Sequence, residues 1–157
     1  MTIQRYPLLR SSAMSDAEAL LARFTQFYTT LDAARLVDLP DVYHRDIHFI
    51  DPVGEHQGLS SLEAYFQRLI SKLNTCCFTL TDIQHHDQQV SVCWQMAYAH
   101  PRLRRGALLR LEGISLLRFT EQRIIYQRDY YDMGAMLYEH IPLIGGVILQ
   151  LKKRLQA

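Results

Sequence analysis

Proton chemistry in this chain would rest first on Asp51, in Phe49-Ile50-Asp51-Pro52-Val53-Gly54, and on Asp129, in Arg128-Asp129-Tyr130-Tyr131-Asp132. A carboxylate at the mouth of an apolar cavity loses part of its hydration, which strengthens its hold on a proton and suits it to general-base work near neutral pH. Asp before Pro is also a common turn residue whose side chain holds backbone amides, so Asp51 has a purely local reading as well. On a strand, Asp129 shares a face with Tyr131 and stands opposite Arg128, Tyr130 and Asp132. Turned inward, it would share or relay a proton with Asp51, as paired carboxylates do. It would equally tether the sheet by accepting hydrogen bonds from Trp94 or a tyrosine, or by pairing with an arginine.

Other reactive residue types lack the spacing their chemistry needs. His44, His48 and His56 flank the Asp51 turn without an H-x-x-x-H or H-E-x-x-H pattern and read as solvated loop residues. The three cysteines, with Cys76 and Cys77 adjacent, match neither a disulfide framework nor a zinc site. Gly145-Gly146 stands alone as a helix break, so no phosphate cradle is present. No metal and no organic cofactor is expected.

The elements that must position these groups follow from periodicity and punctuation. Ser15 to Glu18 has the spacing of a capping box and predicts a helix start, followed by the stripe Leu20, Leu21, Phe24, Phe27, Tyr28, Leu31. Pro40 predicts a second, short helix through Asp41, Val42 and Tyr43, closed by His44-Arg45-Asp46. Ile47 to Ile50 is extended, and Asp51 to Gly58 is a turn cluster. A second box at Ser60 to Glu63 opens a helix with the stripe Leu62, Tyr65, Phe66, Leu69, Ile70, Leu73. From Cys76 the period becomes two. Val90, Val92, Trp94, Met96 and Tyr98 share one parity, which is more often core than cofactor contact but would also line a cavity. Between Leu109 and Phe119 the charged residues are all even, leaving Ser115 as the lone polar side chain on the inner parity. His85-His86-Asp87 reads as a hairpin turn. Ile124 to Asp132 mixes both parities, which suggests that both of its faces are covered. The tail from Met133 reads as two helical pieces broken at Pro142 and Gly145-Gly146.

Helices followed by a run of strands predict an α+β domain, with N-terminal helices packed on a curved, mainly antiparallel sheet and a C-terminal helical tail. At 157 residues the chain is expected to be one domain, with a core over about 15–132 and the tail over 133–157. Seventeen Lys and Arg against sixteen Asp and Glu give a net charge of +1, so no global field favours nucleic acid. No apolar run follows Arg5 before Arg10-Ser11-Ser12, so no signal peptide is expected, and the cysteine usage fits a cytoplasmic setting. Ile141 to Leu151 is about half the length of a membrane span, and the tail is expected to pack on its own domain and close the cavity rim, burying Leu143, Val147, Ile148 and Leu151. Peripheral membrane contact is the less favoured use of that segment.

The stretch Phe49-Ile50-Asp51-Pro52-Val53-Gly54, a charged loop, Gly58, and Leu62-Glu63-Ala64-Tyr65-Phe66 resembles the corresponding part of Δ5-3-ketosteroid isomerases and of the SnoaL-like members of the nuclear transport factor 2 superfamily. The likeness resumes at Leu116-Leu117-Arg118-Phe119. It implies a cone-shaped, cystatin-like barrel with an apolar cavity, and often a dimer. It places Asp51 on the isomerases' catalytic base and Tyr131 on a pocket aromatic, which turns Asp129 inward. The tyrosine of the isomerases' oxyanion hole falls on Phe27 and its protonated aspartate on Ser115, so a standard ketosteroid isomerase is not expected. Tyr28, one residue on, would replace the tyrosine only if the helix were rotated.

The reading is a SnoaL-like domain that binds a small apolar, lipid- or polyketide-like molecule and catalyses a cofactor-independent isomerisation, cyclisation or dehydration. Asp51 and Asp129 are the catalytic pair, and Phe27, Tyr28, Trp94, Met96, Ser115 and Tyr131 line the ligand site. A homodimer is expected through the outward aromatics Tyr126 and Tyr130. The alternative is a noncatalytic ligand-binding or assembly module whose carboxylates are structural.

Overall fold

A computed structural model describes residues 11–86 and 89–156. The leader reading and Asp87 of the predicted hairpin turn fall outside the described residues. Helix α1 (Ser11–Thr29) is followed by a 3-10 turn (Ala34–Asp38), α2 (Leu39–Val42), β1 (Tyr43–Ile50), β2 (Glu55–Gln57) and α3 (Leu59–Ile70). Strands β3 (Thr75–His86), β4 (Gln89–Ala99), β5 (Leu109–Thr120) and β6 (Arg123–Tyr131) come next. The tail holds α4 (Met133–Met136), a 3-10 turn (Tyr138–His140) and α5 (Ile144–Leu155).

The six strands form one curved, unclosed sheet in the order β2-β1-β6-β5-β4-β3, antiparallel throughout except for the parallel pair β1 and β6. That pair matters most for the site: Ile50 lies beside Arg128, so the chain leaves β1 at Asp51 next to Asp129. The inner face is the predicted parity of β4 and β5, with Val90, Val92, Trp94, Met96, Tyr98, Leu111, Ser115 and Leu117 all buried. Against it pack Leu20, Phe24 and Phe27 of α1, Leu31 just after that helix, and Leu62, Tyr65 and Phe66 of α3.

Several local expectations are corrected. Helix α1 already runs from Ser11, so Ser15 lies inside it. Helix α3 starts at Leu59 behind Gly58, with no side-chain cap, so Ser60 is inside it too. Gly58 has φ 81° and donates its amide to Ile47 O at 2.8 Å, a backbone geometry that glycine tolerates best. Tyr43 belongs to β1 and not to the preceding helix, and Glu55–Gln57 forms a strand within the predicted turn cluster.

The ambiguous parity of β6 has a simple cause. Arg118 pairs with Tyr126 and Phe119 with Ile124, so Ile125 is an extra residue on one side of the ladder, a β-bulge. Beyond it the alternation is regular: Gln127, Asp129 and Tyr131 face inward, and Tyr126, Arg128 and Tyr130 face out.

The tail divides its work unevenly. In α4, Met136 closes the open end of the cone, and Ala135, Met136 and Leu137 pack on Trp94, Tyr98 and Leu111. Tyr98 donates its hydroxyl to Met136 O at 2.5 Å, and Asp132 Oδ1 accepts from the amides of Gly134 and Ala135. The tail does not bury its apolar side chains as expected: Val147 and Leu151 of α5 and Leu143 just before it are exposed, and only Ile148 of the four is half-buried. Helix α5 packs instead on the Tyr138–His140 turn through Gly145, whose missing Cβ would overlap the carbonyl of Glu139. Gly145-Gly146 therefore lies inside α5 and is not a break: Gly145 is the packing contact, while Gly146 faces open space.

Candidate functional site

Asp51 stands where β1 turns away from the sheet. Because Pro52 has no N–H, the first amides available to the carboxylate are those of Val53 and Gly54, and both donate to Oδ1, at 2.8 and 2.9 Å. Oδ2 accepts the hydroxyl of Tyr65, from α3, and more loosely that of Tyr131, from β6, at 3.3 Å. Four donors thus occupy the roughly four lone-pair sites of a carboxylate. Burial first, and then Asp51, through its hydrogen bond and charge on Tyr65 and its charge on Tyr131, push both phenols well above their ordinary range, so they remain protonated donors.

Asp129 has the opposite surroundings. Its Oδ1 accepts the Ser115 hydroxyl at 2.6 Å and the Gln127 amide at 2.9 Å, while Oδ2 makes no hydrogen bond among the described residues. Ser115 in turn accepts the indole N–H of Trp94 at 3.0 Å. Desolvation pushes the Asp129 carboxyl up to about 7; the Ser115 and Gln127 bonds oppose the rise and the Asp51 charge adds to it. Strand register builds this relay, because Trp94 sits opposite Gly113 and Ser115 opposite Asp129. A Cβ on residue 113 would overlap Cζ2 and Cη2 of Trp94, so glycine there lets the indole lie flat and aim its N–H at Ser115.

Behind Asp129 lies a closed hydrogen-bond ring. Gln127 Nε2 donates to the Tyr28 hydroxyl at 3.1 Å, and Tyr43 donates to Gln127 Oε1 at 2.7 Å. The Tyr43 hydrogen is thereby committed, so Tyr28 donates to Tyr43 across their 2.8 Å contact. All three residues are buried. The ring satisfies a polar core and anchors the amide that holds Asp129.

Asp51, Asp129, Tyr28, Trp94, Met96 and Tyr131 all line one cavity of about 40 Å³, together with Tyr65, Phe78 and Met136. That is room for a few water molecules, against about 300–1,000 Å³ for a small-molecule pocket, so a ligand must displace the side chains that fill it. Met136 sits on the short α4 and is the one contributed by the tail.

Two residues expected to line the ligand site do not. Phe27 lies about 100° around α1 from Tyr28, so its ring turns into the core and packs edge-on against Tyr28 and Tyr43, at 5.4 and 6.3 Å. Ser115 faces inward but sits one layer back, behind Trp94 and Asp129. Tyr28 reaches the cavity, yet its hydrogen is committed to Tyr43. His56 is not a solvated loop residue: its ring stacks on Tyr65 at 4.2 Å and its Nε2 is buried without a hydrogen-bond partner among the described residues. Among the described residues no three of His, Cys, Asp and Glu gather as a metal would require. Tyr65, Gln127 and Tyr43 were missed as functional residues. Tyr65 keeps the helical spacing of a core stripe, which hides a hydroxyl reaching past the core. Gln127 stands between Tyr126 and Arg128 on the strand of mixed parity, so nothing local marks it as an inward-facing polar residue.

The sequence matches the SnoaL-like domain family over residues 24–127, more than half of the chain, and the chain belongs to that family. No curated protein matches it. Among solved structures it resembles a protein assigned as a SnoaL-like polyketide cyclase from Jannaschia sp. CCS1, at 11% identity and TM-score 0.68, over 87% of this chain and 95% of that one. A ketosteroid isomerase-like protein from Catenulispora acidiphila, in complex with trimethylamine, shares 16% identity at TM-score 0.65, over 75% of this chain and 88% of that one. TerC, co-crystallised with polyporic acid, shares 15% identity at TM-score 0.63, over 77% of this chain and 94% of that one. At these identities the likeness establishes the fold, a ketosteroid isomerase-like cone.

Proposed function

We propose that this SnoaL-like domain binds a small, largely apolar, oxygen-bearing molecule in its cone and moves a proton on it, with Asp51 as base and Asp129 as partner acid. The observation that carries this reading is the contrast between two carboxylates in one apolar cavity. Asp51 accepts from four donors, while Asp129 is desolvated, its carboxyl pushed up to about 7. Two carboxyl groups set in unlike surroundings within one cavity are a recurring arrangement for acid–base catalysis. With Ser115 and Gln127 on Oδ1, a proton on Asp129 resides on Oδ2, the free oxygen. A carbonyl oxygen of the ligand placed there would accept that hydrogen bond. A carbon α to the carbonyl would meet Asp51 Oδ2 once the looser Tyr131 hydroxyl gives way. The Asp51 anion then takes the carbon's proton, the C–H electron pair moves into an enolate held by Asp129, and Asp51 returns the proton to the same or a conjugated carbon. The balance closes as an isomerisation, with no oxidant or cofactor. The apolar lining and the neighbours, a polyketide-cyclase-like protein and one crystallised with polyporic acid, support a conjugated or polyketide-like ligand class.

The test is solvent exchange. A panel of conjugated cyclic ketones is incubated with the protein in D2O and deuterium uptake α to the carbonyl is followed by NMR. Uptake by the wild type, abolished in Asp51→Asn, supports the proposal; no uptake with any ketone that binds removes it.

A noncatalytic module is the second reading, favoured by the small cavity and by the full set of donors on Asp51. It requires that Asp51→Asn and Asp129→Asn change stability and leave no chemistry to lose. We also propose a homodimer through the outer face of the sheet, where Arg128 lies over the ring of exposed Tyr130 and Arg118 over Tyr126. A cytoplasmic setting and the single-domain division of the chain belong to the same proposal.

A further inference from the structure

Helix α5 is the least explained element of the fold. Its contact with the domain is narrow and directional. Lys152 binds Asp132 Oδ2 at 2.6 Å and Glu139 Oε1 at 2.5 Å, and Gly145 rests on the Glu139 carbonyl. At about 100° per residue, Gly145 and Lys152 fall on the same side of the helix, and this side faces the domain. Ile144, Val147, Leu151 and Leu155 cluster about a quarter-turn away and are 50%, 58%, 53% and 88% exposed, with Leu143 at 90% just before them. The ion pairs therefore hold the helix with its apolar stripe facing outward. The charged residues of α5 are Lys152, Lys153 and Arg154, with no acid among them, and Lys153 and Arg154 make no ion pair among the described residues.

We propose that α5 docks the domain on an anionic lipid surface, its apolar stripe among the acyl chains and Lys153 and Arg154 at the headgroups. An apolar face beside a purely cationic end, parallel to the surface, is the composition that anionic bilayers bind, and the lysine and arginine stems are long enough to keep their charges in the headgroup layer. A second copy of α5 fits less well. A 12-residue helix is about 18 Å long and 10 Å across, so one face offers roughly 200 Å², against about 800 Å² per partner in a stable complex. A parallel pair of such helices would also bring cations together with no acid on either to meet them. Among the described residues no helix is long and apolar enough to cross a membrane, so the contact is peripheral. The inference does not rest on the chemistry of the cavity.

The test is co-sedimentation of the full chain with phosphatidylcholine vesicles and with mixed phosphatidylcholine–phosphatidylglycerol vesicles. The protein should bind the mixed vesicles, bind pure phosphatidylcholine far less, and be released by high salt. Val147→Glu with Leu151→Glu should abolish binding, and Lys153→Glu with Arg154→Glu should lower it roughly tenfold or more. All four side chains are exposed, and unchanged circular dichroism will show that the variants fold. Failure of the wild type to bind, equal binding to both vesicle types, or retention in both double variants overturns the proposal. Self-association that depends on Leu151, without vesicle binding, also overturns it and assigns the face to a second copy.

Discussion

Ser115 and Asp129 stand directly opposite each other on β5 and β6, and the serine hydroxyl donates to Asp129 Oδ1 at 2.6 Å. The bond leaves a proton on Asp129 with Oδ2 as its place, the oxygen with no hydrogen-bond partner among the described residues. A half-buried carboxyl near neutral pH thus has a defined donor direction, set by a cross-strand neighbour and by the Trp94 indole behind it.

Asp129 makes stability depend on pH in a specific window. An unfolded aspartate titrates near 3.9, and the folded carboxyl near 7. Below the lower value both states hold the proton; between the two only the folded state does, so stability falls as pH rises from about 4 to about 7 and then levels off. Three pK units correspond to about 4 kcal/mol at most. Asp129→Asn keeps the acceptor for Ser115 and Gln127 and removes the titration. Thermal unfolding from pH 4 to 8 should show the variant gaining on the wild type up to about pH 7. Parallel curves would contradict the raised carboxyl.

Gly113→Ala should displace the Trp94 ring and break its hydrogen bond to Ser115, costing about 1–3 kcal/mol as overpacking does. Trp94 is the single tryptophan of the chain, so its fluorescence reports this site alone. A variant with unchanged denaturation midpoint and emission would show that the ring does not rely on residue 113.

Tyr43→Phe should destabilise more than Tyr28→Phe. The first leaves Gln127 Oε1 without its donor and the Tyr28 hydrogen without its acceptor; the second orphans one Gln127 N–H. Each buried orphan costs about 1–3 kcal/mol. Denaturant melts of the two variants measure the order directly, and the reverse order would mean that the ring donates in the other direction.

Tyr130→Glu should dissociate the proposed dimer by placing a charge on the outer face of the sheet. Sedimentation at micromolar concentration should give about twice 18.3 kDa for the wild type and the single mass for the variant. A wild type that runs at the single mass would remove the dimer.

The strongly periodic segments were readable in the sequence because one buried face imposes a period on its own. The alternation of β4 put Trp94 and Met96 inside, and that of β5 turned Ser115 inward. The Asp51 turn was readable because Pro52 and Gly54 act within a few residues. What failed depended on partners distant in sequence. Only the register with β5 locates the bulge at Ile125 that aims Asp129 and Tyr131 into the cone. Tyr65 kept the spacing of a core residue, and nothing local shows that its hydroxyl ends at Asp51. The apolar excess of the tail was visible, but its direction was not. Apolar content shows that side chains favour leaving water, whereas the ion pairs of Lys152, made to residues of another segment, decide which way the helix turns them.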